Sequence, residues 1–272
     1  MTLEQLKIVS KVQKHLDQIP YPDSYRIARE IVSHYNNTIP EIEKALKRLS
    51  NNEPWEYIKE EAEFMGRGFK VTRETLIPRL ETEELVRHIT KTVDTYPNID
   101  KIIDVGTGSG AIIATIALNI ERKSISFVGT DINRETLRIA QHNLENLNLE
   151  KKVELKLTNL IEGIEITERT LIVANLPYIP TSDYNKLDSS VKDYEPQRAL
   201  EGGDDGMKYI KELIEQIKTS PHKPLAIYLE IDPTQAPYLL KAMSQLGEVL
   251  YKTESIKDFK DNIRFISAIK IT

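Results

Sequence analysis

The sequence contains no cysteine in 272 residues, which excludes disulfides, thiolate metal sites and thiol nucleophiles. No apolar run approaches the ~20 residues that a helical membrane span requires. The segment Met1 to Leu6 has neither a basic stretch nor an apolar core, so no secretory leader is expected, and the Arg-rich bias of transit peptides is missing as well. Positive charge is not in excess. Lys+Arg 37 against Asp+Glu 42 gives a net charge of −5, which argues against nucleic-acid binding over a broad surface. The five histidines, His15, His34, His88, His142 and His222, are scattered, so no metal site is expected. What is present, 40% hydrophobic and 29% charged residues, fits a globular protein with a sizeable core. The expected setting is a monomer in the cytoplasm.

Two regions with different periodicity divide the chain. Residues 1–60 read as helical. Leu3, Leu6, Val9, Val12 and Leu16 recur at helical spacing, and Pro20 and Pro22 stop that run. Ser24 to Tyr35 is a second amphipathic helix. Pro40 opens a third, where proline in the first turn is tolerated, and Pro54 opens a short fourth through Ile58. This block is expected to be a helical recognition domain. Residues 61–78 read as a hairpin linker, with short strands around Gly66 and Gly68. From 79 to 272 strands and helices alternate. Strands are expected at 101–105, 125–130, 153–157, 171–174, 225–231, 248–252 and 263–270, with helices between most of them. The expected class is α/β, a mostly parallel Rossmann-like sheet flanked by helices. Two final strands with no helix between them predict one antiparallel edge strand. Such sheets bind ligands at the carboxyl ends of their strands.

Asp104-Val105-Gly106-Thr107-Gly108-Ser109-Gly110-Ala111 follows one predicted strand and opens a helix. Glycines let the backbone turn sharply and approach a ligand, and the helix start behind them favours negative charge. Asp131 ends the next strand, where a carboxylate accepts hydrogen bonds from ribose hydroxyls. Loop and acid together indicate a nucleoside-containing cofactor. They fit a nicotinamide dinucleotide and S-adenosylmethionine alike.

Asn175-Leu176-Pro177-Tyr178 ends the predicted strand 171–174, on the same rim. An amide or exocyclic amine nitrogen is a poor nucleophile because its lone pair is delocalised. The Asn175 side-chain oxygen and the Leu176 carbonyl can each accept one N–H of such a planar group, which aims the nitrogen. Pro177 fixes φ, and Tyr178 offers a flat face for stacking. This tetrad, after a glycine loop and a ribose-type acid, points to methyl transfer onto nitrogen. A dinucleotide oxidoreductase would leave it without a role.

Ile77-Pro78-Arg79-Leu80-Glu81-Thr82-Glu83-Glu84-Leu85-Val86 resembles the signature ahead of the catalytic domain in the release-factor glutamine methyltransferases, the PrmC/HemK family. The run Glu195-Pro196-Gln197-Arg198-Ala199-Leu200-Glu201-Gly202-Gly203-Asp204-Asp205-Gly206 resembles the segment after that family's Asn-Pro-Pro-Tyr tetrad. Glu53-Pro54, Tyr57 and Phe64 to Val71 look like its domain junction. The resemblance spans nearly the whole chain. It implies a class I methyltransferase domain behind a small helical domain, S-adenosylmethionine as methyl donor, no metal, and a class 1 peptide chain release factor as substrate, methylated on the glutamine of its Gly-Gly-Gln motif. It assigns the cofactor to Gly106, Thr107, Gly108, Ser109, Gly110, Asp131, Asn159, Leu160 and Asn175, and the glutamine amide to Asn175, Leu176, Pro177 and Tyr178. Asn175, Pro177 and Tyr178 are the implied catalytic residues. Four positions depart from the family pattern. Leu176 replaces the tetrad's first proline, Asn159 an acid beside the adenine amino group, and Glu60 and Asp232 each a glycine. Asn-Leu-Pro-Tyr is also similar to the tetrad of adenine-N6 methyltransferases that act on RNA, which leaves that substrate class as an alternative.

Overall fold

The computed structural model describes residues 2–19 and 23–271. The helix-stopping role expected of Pro20 and Pro22 therefore lies outside the described residues. Four helices come first: α1 (Leu3–Leu16), α2 (Ser24–His34), α3 (Ile39–Leu49) and α4 (Trp55–Lys59). Thr2 caps α1 through a reciprocal pair of hydrogen bonds with Gln5, and Pro40 sits in the first turn of α3. Their apolar stripes meet in a core of their own, built on Val12, Leu16, Ile27, Ile31, Leu49 and Trp55. Glu60 closes α4 with φ of 57°. That left-handed conformation is the reason glycine suits this position, and the glutamate bears it at some backbone cost.

A two-stranded hairpin follows, β1 (Glu61–Phe64) and β2 (Arg67–Lys70). It is more than a connection, because Phe64 and Phe69 are buried in the main core with α5 (Thr82–Thr95) and α6 (Ala111–Asn119). The remaining chain adds β3 (Lys101–Val105), β4 (Ser126–Asp131), α7 (Arg134–Asn146), β5 (Val153–Leu157), β6 (Thr170–Ala174), the single-turn helices α8 (Thr181–Tyr184) and α9 (Ser189–Lys192), α10 (Lys208–Thr219), β7 (Ala226–Glu230), α11 (Ala236–Met243), β8 (Gln245–Leu246), β9 (Val249–Lys257) and β10 (Ile263–Lys270).

The large sheet has the order β5-β4-β3-β6-β7-β10-β9-β8. The first five strands are parallel. Helices α5, α6 and α7 cover one face, and α10 and α11 the other. The central strands β6 and β7 are buried along their whole length, as parallel strands covered on both faces must be. Helix α6 is apolar on every side, and Ala111 to Ala117 are all buried between sheet and neighbours. Of the two long final strands, β10 is the one that runs against the parallel set, and it lies inside the sheet between β7 and β9, not at the edge, where the short β8 pairs antiparallel with β9. Phe265 to Ala268 are buried on both faces, so an edge position would expose them; the two-residue β8 takes the edge instead. The strand order reverses direction between β3 and β6, and a crevice opens there at the carboxyl ends.

Candidate active site

The crevice, together with the solvent at its open mouth, spans about 1100 Å³. Its floor is the glycine loop between β3 and α6. Gly106, Gly108 and Gly110 all have positive φ. The loop is tied down on three sides. The Thr107 hydroxyl donates to Asp104 Oδ2 (2.7 Å), and the Thr107 N–H to the Thr130 carbonyl (2.8 Å). The Gly108 N–H donates to Asp131 Oδ2 (3.2 Å). Asn143 of α7 donates to the Ser109 carbonyl (2.8 Å) and also exchanges hydrogen bonds with the Lys70 backbone. The hairpin is thereby coupled to the loop.

Two carboxyls lie in this half. Asp104 is fully buried beneath the loop, and that burial pushes its pKa up to about 7, against the stabilising Thr107 hydrogen bond. Asp131, at the end of β4, is also held above the usual carboxylate range by burial, opposed by the Asn133 and Gly108 N–H groups. Its Oδ1 accepts from the Asn133 N–H at 2.9 Å.

On the far side of β3, Asn175 follows the last residue of β6. It lines the crevice, and among the described residues no hydrogen bond engages its side-chain amide. The Leu176 carbonyl is likewise unclaimed there, while the Leu176 side chain is buried in the core. Leu176 Cδ2 comes so near Gly106 that a Cβ on that glycine would stand 3.0 Å away. The tetrad and the glycine loop thus touch. Pro177 lines the crevice as well.

Gly106, Thr107, Gly108, Ser109, Asp131, Asn159, Leu160, Asn175, Leu176 and Pro177 are brought together in the one crevice; Gly110 and Tyr178 are not among its lining residues. Gly110 is the N-cap of α6 and packs against Ala140 of α7. The Tyr178 ring packs on the core between sheet and α10, and its hydroxyl donates to buried Glu230 at 3.4 Å. A phenol hydroxyl turned to the interior needs such a partner. Burial raises the Glu230 carboxyl, which also accepts from the Thr82 hydroxyl (2.7 Å).

Asn159 donates its amide Nδ2 to Glu212 of α10, which leaves Oδ1 as the acceptor of this crevice-lining residue. Leu160 sits beside it with φ of 54°, a costly conformation for a branched residue outside glycine turns.

Several crevice residues were not singled out from the sequence. Arg198 donates to the Glu74 carboxylate (2.6 Å) and carbonyl (2.9 Å), and both residues line the crevice. Arg79 reaches the crevice wall from an ion pair with Glu195, whose other oxygen accepts from the Ile77 N–H (3.2 Å). The signal in the sequence was that Arg79, Glu195 and Arg198 lie in the two runs that resemble the family, although neither run shows which charges pair. Among the described residues there is no group of three or more His, Asp or Glu arranged to hold a metal ion, and no helix long and apolar enough to cross a membrane.

The ribosomal protein L11 methyltransferase (PrmA) family matches residues 83–178, from α5 through the tetrad. A release factor glutamine methyltransferase of Koribacter versatilis is 36% identical over 236 residues, covering 80% of this chain and 81% of that protein. Another, from Clostridium acetobutylicum, is 35% identical over 219 residues, covering 80% and 75%. A third, from Bacteroides thetaiotaomicron, is 32% identical over 231 residues, covering 84% and 80%. Among solved structures, the catalytic domain of hMettl16 in complex with MAT2A 3′UTR hairpin 6 superposes with a TM-score of 0.60 at 14% identity, covering 75% of this chain and 76% of that one. That likeness is one of fold.

Proposed function

The chain belongs to the release factor glutamine methyltransferases, and on that premise we propose that it transfers a methyl group from S-adenosylmethionine to the side-chain amide nitrogen of a release-factor glutamine. It is an enzyme of the methyltransferase class. The finer reading is that the glutamine is that of the Gly-Gly-Gln motif in class 1 release factors. The enzyme would work in the cytoplasm as a monomer, without nucleic acid or a metal.

The observation that carries the reading is the unengaged Asn175 amide beside the unclaimed Leu176 carbonyl, in the crevice that also holds the glycine loop and Asp131. S-adenosylmethionine supplies a methyl group on a sulfonium, open to direct displacement. The glycine loop and Asp131, with the Asn159 oxygen and Leu160 at the adenine side, are suited to hold it; backbone donors, carboxylate and amide oxygen complement an amino acid, a ribose and a base. Asn175 Oδ1 and the Leu176 carbonyl accept the two N–H groups of the glutamine amide. Accepting both fixes the plane of the amide and directs its nitrogen at the donor. Alignment of this kind supplies on the order of 7–11 kcal/mol in well-oriented reactions. Pro177 fixes the turn, and Tyr178, anchored on Glu230, holds it from behind.

Residues 1–60 are read as the unit that recognises the protein substrate. The support is a groove between α1 and α3, with apolar Ile8, Ile39 and Leu46 and the cationic side chains Lys11, Lys14 and Lys47 along it. Reversing those three lysines to glutamate is expected to raise KM for a whole release factor severalfold and leave a short glutamine peptide unaffected. Steady-state assays on both substrates check this.

The deciding experiment for the activity incubates the protein with isotopically labelled S-adenosylmethionine and a class 1 release factor, with the Gln→Ala release factor and a structured RNA alongside. Mass spectrometry should find the methyl group on the Gly-Gly-Gln glutamine alone. A label on RNA adenine would replace this reading with the nucleic-acid one.

A further inference from the structure

We propose that Gln235 is a positioning residue for the transfer, one whose side-chain amide holds the far end of the tetrad so that the Leu176 carbonyl is left open to the acceptor amide. The inference rests on the reading that Asn175 and Leu176 receive the substrate nitrogen.

Gln235 lies just ahead of α11 and is buried. Its Nε2 donates to the Tyr178 carbonyl (2.9 Å) and to the Gly206 carbonyl (3.1 Å). Its Oε1 accepts from the Asp232 N–H (3.1 Å). Both amide hydrogens and the oxygen are therefore in use, and they define one orientation. A flipped amide would set its oxygen against two carbonyls and its NH2 against an N–H. Three segments that are remote in sequence meet on this one neutral group: the tetrad, the 201–206 loop and the turn after β7.

The surrounding backbone is fitted to this arrangement. The Ile179 N–H donates to the Leu200 carbonyl (3.0 Å), and the Gly202 N–H to the Ile179 carbonyl (2.8 Å). A Cβ at Gly202 would stand 2.5 Å from the Pro177 carbonyl oxygen, and one at Gly206 would stand 2.2 Å from the Tyr178 carbonyl oxygen. Glycine alone permits that approach. Of the carbonyls at 176, 177 and 178, the last is bonded to Gln235 and the middle one is covered by Gly202. The first is claimed by no group among the described residues. Gln235 thus governs which tetrad carbonyl faces the crevice, without itself lining it.

The test compares Gln235→Leu, Gln235→Glu and Asn175→Ala in the full chain. It measures kcat on a release factor, S-adenosylmethionine affinity by calorimetry, and thermal stability. Gln235→Leu should lower kcat by about 10- to 100-fold, the scale of a misplaced reacting group, with cofactor Kd within about twofold. Gln235→Glu keeps the shape and the oxygen that faces Asp232. It should be active while its carboxyl carries the proton that donates to Tyr178. As that proton leaves, its oxygens oppose the two carbonyls, so kcat should fall with rising pH along a limb that the native enzyme lacks. If the leucine variant does not fold, the pH profile of the glutamate variant decides. The inference is overturned by a folded leucine variant with native kcat, by a glutamate variant with the native pH profile, or by kcat loss that only tracks lost stability and cofactor affinity. Native turnover in Asn175→Ala would instead overturn the acceptor reading on which the inference stands.

Discussion

The two halves of the crevice are built from different chemistry. On the β3–β4 side the glycine loop hangs on carboxyls: Asp104 takes the Thr107 hydroxyl and Asp131 takes the Gly108 N–H. On the β6–β7 side the tetrad is arranged by a neutral amide and by close backbone packing, through Gln235, Gly202 and Gly206. Both carboxyls on the first side are raised by burial, so their charge depends on pH and on what binds beside them. On the amide side the acceptors are neutral, and the one carboxyl there, Glu230, stands behind Tyr178. The division suits the two ligands. A cofactor carrying positive charge and ribose hydroxyls gains from carboxylates. A weakly nucleophilic amide needs fixed, uncharged acceptors, because a charge there would bind its N–H groups without selecting one geometry.

The sharpest way to break the comparison is to exchange the kinetic signatures of the two halves. Asn175→Ala should lower kcat by about 10²- to 10³-fold, the loss seen when one preorganised polar contact is removed, and leave cofactor Kd within a few-fold. Asp131→Ala should do the opposite. It frees the Gly108 and Asn133 N–H groups and removes the acid, so cofactor Kd should weaken about 10- to 100-fold, with kcat near native at saturating cofactor. Isothermal titration and saturation kinetics on both variants separate the outcomes. If Asn175→Ala chiefly weakens cofactor binding, the halves are not functionally distinct.

A smaller effect sharpens the electrostatic contrast. Asp104 is an acid whose folded pKa, about 7, lies above its unfolded value near 4. Its contribution to stability is therefore fully present below pH ~4 and is lost as pH rises through about 7. Within that window the slope reaches up to about 1.4 kcal/mol per pH unit. Asp104→Asn keeps an acceptor for Thr107 and should flatten the slope by Asp104's share, leaving that of Asp131 and Glu230, as denaturant unfolding at several pH values will report. Gln235→Leu should leave Asp104's share of the slope unchanged, since Gln235 bonds only Asp232, Tyr178 and Gly206.

How much of this was legible in the sequence follows the distance between partners. The glycine loop, Asp131 and the tetrad were readable because each is a local strand-end motif. A doubly wound sheet gathers strand ends on one rim, whatever the intervening chain. Strands β3 and β5 likewise fall on the predicted residues, since apolar runs bounded by turns mark them. The interior place of β10 was not readable, because strand order depends on pairing with β7 and β9 across the sheet. The contact of Tyr178 with Glu230 was not readable either, since nothing near the tetrad in sequence announces that partner. Gln235 and Tyr178 are 57 residues apart, and Arg198 and Glu74 are 124 apart; no periodicity links them. The departures at Glu60 and Asp232 were visible, but only the backbone explains them. Glu60 holds a left-handed φ, while Asp232 has ordinary φ and caps the turn that carries Gln235.

The Asn159 departure leads to the smallest prediction, and it joins the two halves. An aspartate at 159 would present acceptors whichever way it turned. An asparagine presents an acceptor only if its NH2 is held elsewhere, and Glu212 holds it. The neighbouring Ile161 N–H is fixed by Gln216 of the same helix (3.0 Å), so α10 sets the geometry of the whole 159–161 turn. The pair Asn159–Glu212 therefore does by orientation what a lone carboxylate does by charge, and it places amide chemistry within the cofactor half. Glu212→Ala should raise KM for S-adenosylmethionine by only about threefold, within the ~1 kcal/mol of an ordinary hydrogen bond, and leave kcat unchanged. Asn159→Asp alone should also weaken binding, because it sets two carboxyls against each other. The double variant Asn159→Asp/Glu212→Gln should recover affinity, since the new glutamine can donate to the new acid. A double-mutant cycle with coupling above ~0.5 kcal/mol would establish the pair as one unit; strictly additive losses would mean that Asn159 faces the cofactor without help from α10.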